Sequence, residues 1–355
     1  MLLKPRKKQP ILLGIDISSS AIKVIEMSAS SQGYKIEHYG AEPLPPNAMA
    51  DRVIADVESI GEAVRRAVRK SGSRLKKAIV AVGGAQIITS TIVLPRDLDE
   101  QEMSEQIDLQ LDQHMSLSRD EVSYDFDLLG PNKSDPTQVN VLLVATRREY
   151  VEKRQAALEI AGLSAAIVDI ETHALDLASR LLENQMPNSG SQKMVAVLDF
   201  GATLTTFCLR DDHQMIYTRD QAFGGRMLTE EIMRFYGLSF EEAGLAKRRE
   251  GLPKSYQKDV LEPFMDEMAK HIRSFYRQYQ ESSGVSRPLD QIILSGGCSQ
   301  IPGVADYIGK QLSIPTICGN PLETTMLAAQ PKSAKIEQDA PSLMIALGLA
   351  MRSFL

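Results

Sequence analysis

Two segments about half the chain apart repeat one pattern: Leu12-Leu13-Gly14-Ile15-Asp16-Ile17-Ser18-Ser19-Ser20 and Val197-Leu198-Asp199-Phe200-Gly201-Ala202-Thr203. Each is an apolar run that reads as a buried strand, ends in aspartate and passes at once into small and hydroxyl residues. Such a turn lets backbone N–H groups approach phosphate oxygens closely while the carboxylate holds hydrated Mg²⁺. Two of them facing each other would clamp a nucleotide's phosphates from both sides. A third segment, Ile292-Ile293-Leu294-Ser295-Gly296-Gly297-Cys298-Ser299-Gln300-Ile301-Pro302-Gly303, runs a strand into a glycine turn suited to the flat approach of a nucleoside.

A chain of 355 residues, 43% of them hydrophobic, can bury a large core and is expected to form two domains. Its net charge of -6 argues against a nucleic-acid protein, which would carry a clearly basic domain. Arg65, Arg66, Arg69, Lys70, Arg74, Lys76 and Lys77 form a run without an acid, whereas 97–127 is acidic. These read as two solvated faces, the alternative being a docking surface for anionic lipid or an acidic partner. Cys208, Cys298 and Cys318 form no C-x-x-C pair and signal neither a disulfide framework nor zinc, which fits a reducing cytoplasm. The basic start is followed by an apolar run that Asp16 interrupts, so no secretory signal is expected. The apolar stretch 343–351 is far short of the ~18 residues of a membrane span. A soluble protein is expected, reaching a membrane only through partners.

Along the chain, 11–16, 22–27 and 34–39 read as a meander of strands, and 51–70 as a helix carrying Val53, Val57, Ile60, Val64 and Val68. A strand at 78–82 stops at Gly83-Gly84. From there to about Gly162, an alternating strand, an acidic helix at 99–115 and strands at 122–128 and 139–146 suggest an inserted module. The Pro, Ser and Gly of 184–193 mark a linker. A second meander at 195–218, a helix from Met227 and a long helix at 256–282 follow. In the last, Leu261, Phe264, Met265, Met268, Ile272, Phe275, Tyr276 and Tyr279 form a stripe that reads as core. A final helix at 343–354 is expected to pack on the first domain.

Asp at a strand end is also a common turn former, but two such acids with matching glycine segments favour a metal-facing role, through water, for Asp16 and Asp199. Ser18, Ser19 and Ser20 offer hydroxyl and N–H donors. Lys23 adds either a point charge or an exposed strand lysine. Gly201 and Thr203 play the matching part in the second hairpin, with Thr205 a weaker candidate; Gly296 and Gly297 form the nucleoside turn. Gly224 and Gly225 either place a helix N-terminus near the nucleotide or form an ordinary turn. Asp199-Phe200-Gly201 spells a kinase motif, yet no kinase lysine, catalytic loop or glycine-rich loop precedes it. No P-loop, H-E-x-x-H or G-x-S-x-G occurs, and the five histidines are scattered.

In this order the three segments resemble the phosphate-1, phosphate-2 and adenosine motifs of the actin, Hsp70 and sugar-kinase superfamily. Further strings narrow the resemblance: Gly14-Ile15-Asp16-Ile17-Ser18-Ser19-Ser20-Ala21-Ile22-Lys23, Glu42-Pro43-Leu44-Pro45-Pro46, Phe223-Gly224-Gly225-Arg226-Met227-Leu228-Thr229-Glu230-Glu231-Ile232, Glu241-Glu242-Ala243-Gly244-Leu245-Ala246-Lys247, Gly251-Leu252-Pro253 and Ala340-Pro341-Ser342-Leu343-Met344-Ile345-Ala346-Leu347-Gly348-Leu349-Ala350. Together they resemble the PilM family, actin-like type IV pilus assembly proteins, over nearly the whole chain.

The resemblance implies an α/β actin-like ATPase fold, with two lobes around a nucleotide cleft and an FtsA-type inserted subdomain on the first lobe. By analogy the first lobe takes 11–85, the insertion 86–162, and the first lobe returns at 163–190 and 340–355. The second lobe takes 193–225 and 286–339, with a helical part at 226–285. Lys247 aligns with a lysine that relatives place near the ribose or base, whereas Gly244 stands where they often carry Glu. The implied protein is cytoplasmic, binds ATP and Mg with weak or no hydrolysis, and captures the N-terminal cytoplasmic tail of PilN, linking the inner-membrane complex to the pilus motor ATPases. Unlike FtsA, no amphipathic membrane helix follows Leu355, which fits membrane recruitment through partners. The alternatives are an active ATPase or small-molecule kinase, and a filament-forming, homo-oligomeric cytoskeletal protein.

Overall fold

The computed structural model describes the chain except residues 1–9, 46, 51, 85–86, 115–118, 133, 187–192, 213, 248–251 and 329–332. A first sheet of six strands runs in the spatial order Ser164–Ile170, Lys77–Val82, Leu13–Ile17, Ala21–Ser30, Gly33–Pro43, Met326–Leu327. Leu13–Ile17 pairs antiparallel with Ala21–Ser30 and parallel with Lys77–Val82. All five of its residues are buried, because helices cover both faces of a central strand of this kind.

The second sheet repeats the plan, in the order Gln214–Gln221, Thr205–Asp211, Met194–Phe200, Gln291–Ser295, Thr316–Cys318. Here Met194–Phe200 pairs antiparallel with Thr205–Asp211 and parallel with Gln291–Ser295. In both sheets a central strand therefore carries its aspartate one residue before its end, beside a hairpin, and this doubling brings Asp16 within electrostatic reach of Asp199.

Helices Glu171–Ser179 and Met344–Met351 lie between the sheets, and one core joins Ile25 and Met27 of the first sheet to Val195 and Ile293 of the second around Leu175 and Leu347. Burying each such side chain is worth about 1.5–3 kcal/mol, so this layer holds the lobes together. The two helices touch at the backbone: a Cβ on Gly348 would stand 1.8 Å from the Ala174 carbonyl oxygen. Arg210 of the second sheet, 1% exposed, pairs with Asp176 on the same helix that carries Glu171. The last helix ends at Met351 and a tighter turn, Arg352–Phe354, follows.

The opposite face of the first sheet carries helices Val57–Ser71 and Arg148–Ile160. The helix expected at 51–70 starts later. Asp56 caps it, accepting from the Ser59 N–H at 3.0 Å, while Met49–Ala50 and Val53–Ile54 pair as a small hairpin. Arg52, in the turn of that hairpin, has a left-handed backbone (φ 69°) that no α-helix accommodates. A good cap outweighed the apolar spacing that Val53 shared with the true helix.

The inserted module is a three-stranded sheet, Ile87–Pro95, Gln138–Arg147 and Val122–Pro131 in spatial order, under helix Glu100–His114. It has its own core of Ile92, Leu94, Met103, Ile107, Val141 and Leu143 among others. Helix Arg148–Ile160, inside the 86–162 span expected for the module, instead gives Ala157 and Leu158 to the first-lobe core. On the other face of the module sheet, Thr91, Leu142 and Asp127 stand in one row and Thr89, Val144 and Asp125 in the next, all partly or fully exposed.

In the second lobe, helix Glu262–Ser283 lays Phe264, Met265, Met268, Ile272, Phe275 and Tyr279 against the sheet, with Phe275 stacked on Phe207 at 5.3 Å. The long helix expected at 256–282 opens as a wider π turn, Gln257–Leu261, because Pro263 has no N–H to donate one turn back. Met326–Leu327, placed by sequence in the second lobe, pairs with Gly33–Pro43 at the edge of the first sheet. A strand this short leaves no periodic signature. The linker expected at 184–193 lies mostly outside the described residues.

Candidate functional site

The strand Leu13–Ile17 carries Asp16 to its C-terminal end, where the antiparallel register sets it opposite Lys23. Lys23 Nζ lies 3.1 Å from Asp16 Oδ2, and the carboxylate side chain is only 4% exposed. Ser18 closes its own turn, donating from both N and Oγ to the Ala21 carbonyl. Ser19 reaches across the cleft: its hydroxyl is 2.7 Å from that of Thr203 in the second hairpin. Ser20 is exposed, and its carbonyl accepts from the Leu44 N–H.

The second hairpin is tied to both neighbouring motifs. Asp199 accepts from the Ser295 hydroxyl at 3.2 Å. The Gly201 carbonyl accepts from the Gly225 N–H at 3.0 Å and the Cys298 thiol at 3.3 Å, and the Ala202 carbonyl from the Arg226 N–H at 2.7 Å. The first N–H groups of helix Gly225–Tyr236 thus dock on the second hairpin. Lys247 Nζ donates to the Gly225 carbonyl at 2.8 Å and the Thr229 hydroxyl at 2.7 Å, pinning the same helix start. Gly297 is exposed, and a Cβ there would meet open space. Thr205, fully buried, donates to the Phe223 carbonyl and serves structure. The hairpins, the Gly224-Gly225 turn, Lys247 and the Gly296-Gly297 turn therefore converge on one place.

Three charged residues join them that the sequence reading missed. Arg52, its side chain 12% exposed, pairs with Glu171, the first residue of helix Glu171–Ser179, which is also buried. Glu171 covers Gly83, and Arg52 lies beside Gly84. Asp220 of Gln214–Gln221 accepts from the Thr206 hydroxyl at 2.7 Å, and burial pushes it above the usual carboxylate range against the pull of Arg52. Glu171 had a signal of the same kind as Asp16: an apolar strand, Ser164–Ile170, ending at an acid followed by Thr172.

Burial also pushes Asp199 up; Asp16 adds to the rise, while Lys23, the Ser295 hydroxyl and Arg52 oppose it. A carboxyl raised in the folded state destabilises the fold once ionised. The penalty is absent below the unfolded carboxylate value of ~4 and complete above the raised one. Asp199→Asn is therefore expected to raise the urea midpoint of the empty protein at pH 7 and to leave it unchanged near pH 3. A midpoint that falls at pH 7 would show that Asp199 is stabilised as the anion.

The pair suits a hydrated divalent cation. Two acids from opposite lobes repel each other, so a cation between them relieves a cost already present. Among the described residues no three His, Cys, Asp or Glu side chains form a metal cage, so water and phosphate oxygens would supply the remaining ligands. No helix among them is long and apolar enough to cross a membrane.

A family model described as type IV pilus assembly protein PilM matches residues 14–354. The cell division protein FtsA of Bacillus subtilis (strain 168) is 23% identical over 374 aligned positions, covering 96% of this chain and 82% of FtsA. The ethanolamine utilization protein EutJ of Escherichia coli (strain K12) is 30% identical over 156 positions, 43% of this chain and 48% of EutJ. Among solved structures, a chain of a PilM-PilN type IV pilus biogenesis complex superposes with a TM-score of 0.81 at 25% identity, covering 98% of this chain and 99% of that one. EutJ from Carboxydothermus hydrogenoformans superposes at 0.56 with 16% identity, covering 98% of this chain and 90% of that one, a likeness of fold alone. The expected actin-like α/β fold is borne out.

Proposed function

This chain belongs to the PilM family of type IV pilus assembly proteins, and from that premise we propose that it is a nucleotide-binding adaptor holding the N-terminal cytoplasmic tail of PilN. The observation that carries the reading is the match, over almost the full length of both chains, to the protein solved in the PilM-PilN complex. In this reading the tail lies along the module, whose uncovered face offers Leu142 and Val144 for apolar side chains and Asp125 and Asp127 for basic ones. The adaptor would join the inner membrane through PilN and face the pilus motor on its other side.

The cleft supplies the second half of the proposal. ATP would lie between the hairpins, with Asp16 and Asp199 holding Mg²⁺ through water, Ser19, Gly201 and Thr203 at the phosphates, and Gly297 and Lys247 toward the nucleoside. Mg²⁺ would offset phosphate charge in a cleft already rich in acids. Because both lobes contribute, nucleotide stabilises the inter-lobe arrangement it binds better, and the tail-binding face of the module, carried by the first lobe, would sense that arrangement. Turnover is not required.

The test is a calorimetric titration of the PilN N-terminal peptide with and without Mg-ATP. Saturable one-to-one binding is expected, with nucleotide changing the affinity about 5–150-fold, the usual range of a coupling between sites. No binding in either state would overturn the adaptor reading.

A further inference from the structure

Arg52 is unusual on three separate counts. It is a non-glycine residue in the left-handed region, a backbone that L-residues rarely adopt. Strain kept in this way clusters at functional sites. It sits in a hairpin turn, where a long basic side chain ordinarily reaches into water, yet it is folded inward and largely buried. Its Nε–H is buried without a hydrogen-bond partner among the described residues, although an unmade bond of this kind is costly.

The surroundings explain the inward turn. Arg52 feels Asp16 of the first lobe and Asp199 and Asp220 of the second, and it pairs with Glu171. Glu171 alone would satisfy a structural salt bridge; acids converging from both lobes make Arg52 a cation of the cleft itself. Of the other cations near Asp16, Lys23 is committed to that carboxylate and Arg154 donates to the Ala81 and Tyr150 carbonyls. Arg52 keeps an unclaimed N–H on a planar fork, the donor geometry that fits two phosphate oxygens at once.

Resting on the nucleotide-cleft reading above, we propose that Arg52 reads the terminal phosphate: a nucleoside triphosphate takes the guanidinium from Glu171, and a diphosphate does not. The exchange gives the cleft its preference for the triphosphate and frees the Glu171 carboxylate only when that phosphate is present. No bond is made or broken in the step.

Calorimetry with Mg²⁺ and either AMPPNP, which is not hydrolysed, or ADP tests this on the full chain, with thermal unfolding checking each variant's fold. Arg52→Gln is expected to weaken AMPPNP about tenfold or more, the worth of a charge-assisted hydrogen bond, and ADP by under about threefold. Equal losses for both ligands, or none, would overturn the proposal. Glu171→Gln decides the matter even where Arg52→Gln does not fold, because removing the competing anion should tighten AMPPNP and leave ADP unchanged. Weaker AMPPNP binding by Glu171→Gln would refute the exchange. A wild-type protein that binds neither nucleotide overturns the cleft reading itself, an outcome distinct from wild-type binding that Arg52→Gln leaves intact.

Discussion

Gly296→Ala is expected to destabilise the fold by about 2–6 kcal/mol, the sum of overpacking and of holding a non-glycine residue at φ 81°, ψ 176°. Gly296 has φ 81°, and an alanine Cβ there would stand 2.4 Å from the carbonyl oxygen, 2.6 Å from the carbonyl carbon and 2.7 Å from the nitrogen of Phe200. All three are backbone atoms. Neither strand can yield, because Asp199 and Ser295 are register partners immediately before the contact, and the Gly296 N–H is held by the Pro341 carbonyl at 2.8 Å. The close approach is what brings the nucleoside turn against the second hairpin. Urea unfolding is the measurement, with Gly297→Ala as control: its Cβ meets open space, so its midpoint should stay within about 0.5 kcal/mol of wild type. Equal midpoints for the two variants would show that the strands can separate at no cost.

Asp16→Asn should separate metal from charge in the cleft. The amide keeps the shape of the carboxylate and removes its negative charge, leaving Lys23 without its ion-pair partner. On the nucleotide reading, Mg-ATP binding should weaken about 10–100-fold, as when a group orienting a metal's ligands is lost. Binding of ATP in excess EDTA should move the other way, because one of four neighbouring acids no longer repels the phosphates. Calorimetry under both conditions reads the two effects. A variant that weakens ATP equally with and without the metal would refute the metal role of Asp16.

Much of the cleft was legible because its main chain is built from local signals. Asp16 and Asp199 each follow an apolar strand and precede a hydroxyl or glycine turn, and the strand is found by its run of apolar residues whatever it later pairs with. The stripe of Glu262–Ser283 was legible for the same reason, since burial of one helix face writes its period into the sequence. Arg52 was hidden by the opposite case: Val53 fits the period of the following helix, and only the Asp56 cap and the small hairpin divide the two.

What the sequence by itself determined was the set of strands, their acidic ends and the turns able to approach phosphate closely. The tertiary structure alone decided which charges meet: Arg52 with Glu171, more than a hundred residues later, and Arg52 with Asp199 and Asp220 of the other lobe. Local propensity acts over a few residues, whereas these meetings depend on the register of two sheets and on helices Glu171–Ser179 and Met344–Met351 packed between them. The cost of burying charge is set by whatever ends up adjacent, and that adjacency exists only once the sheets have closed on their shared core.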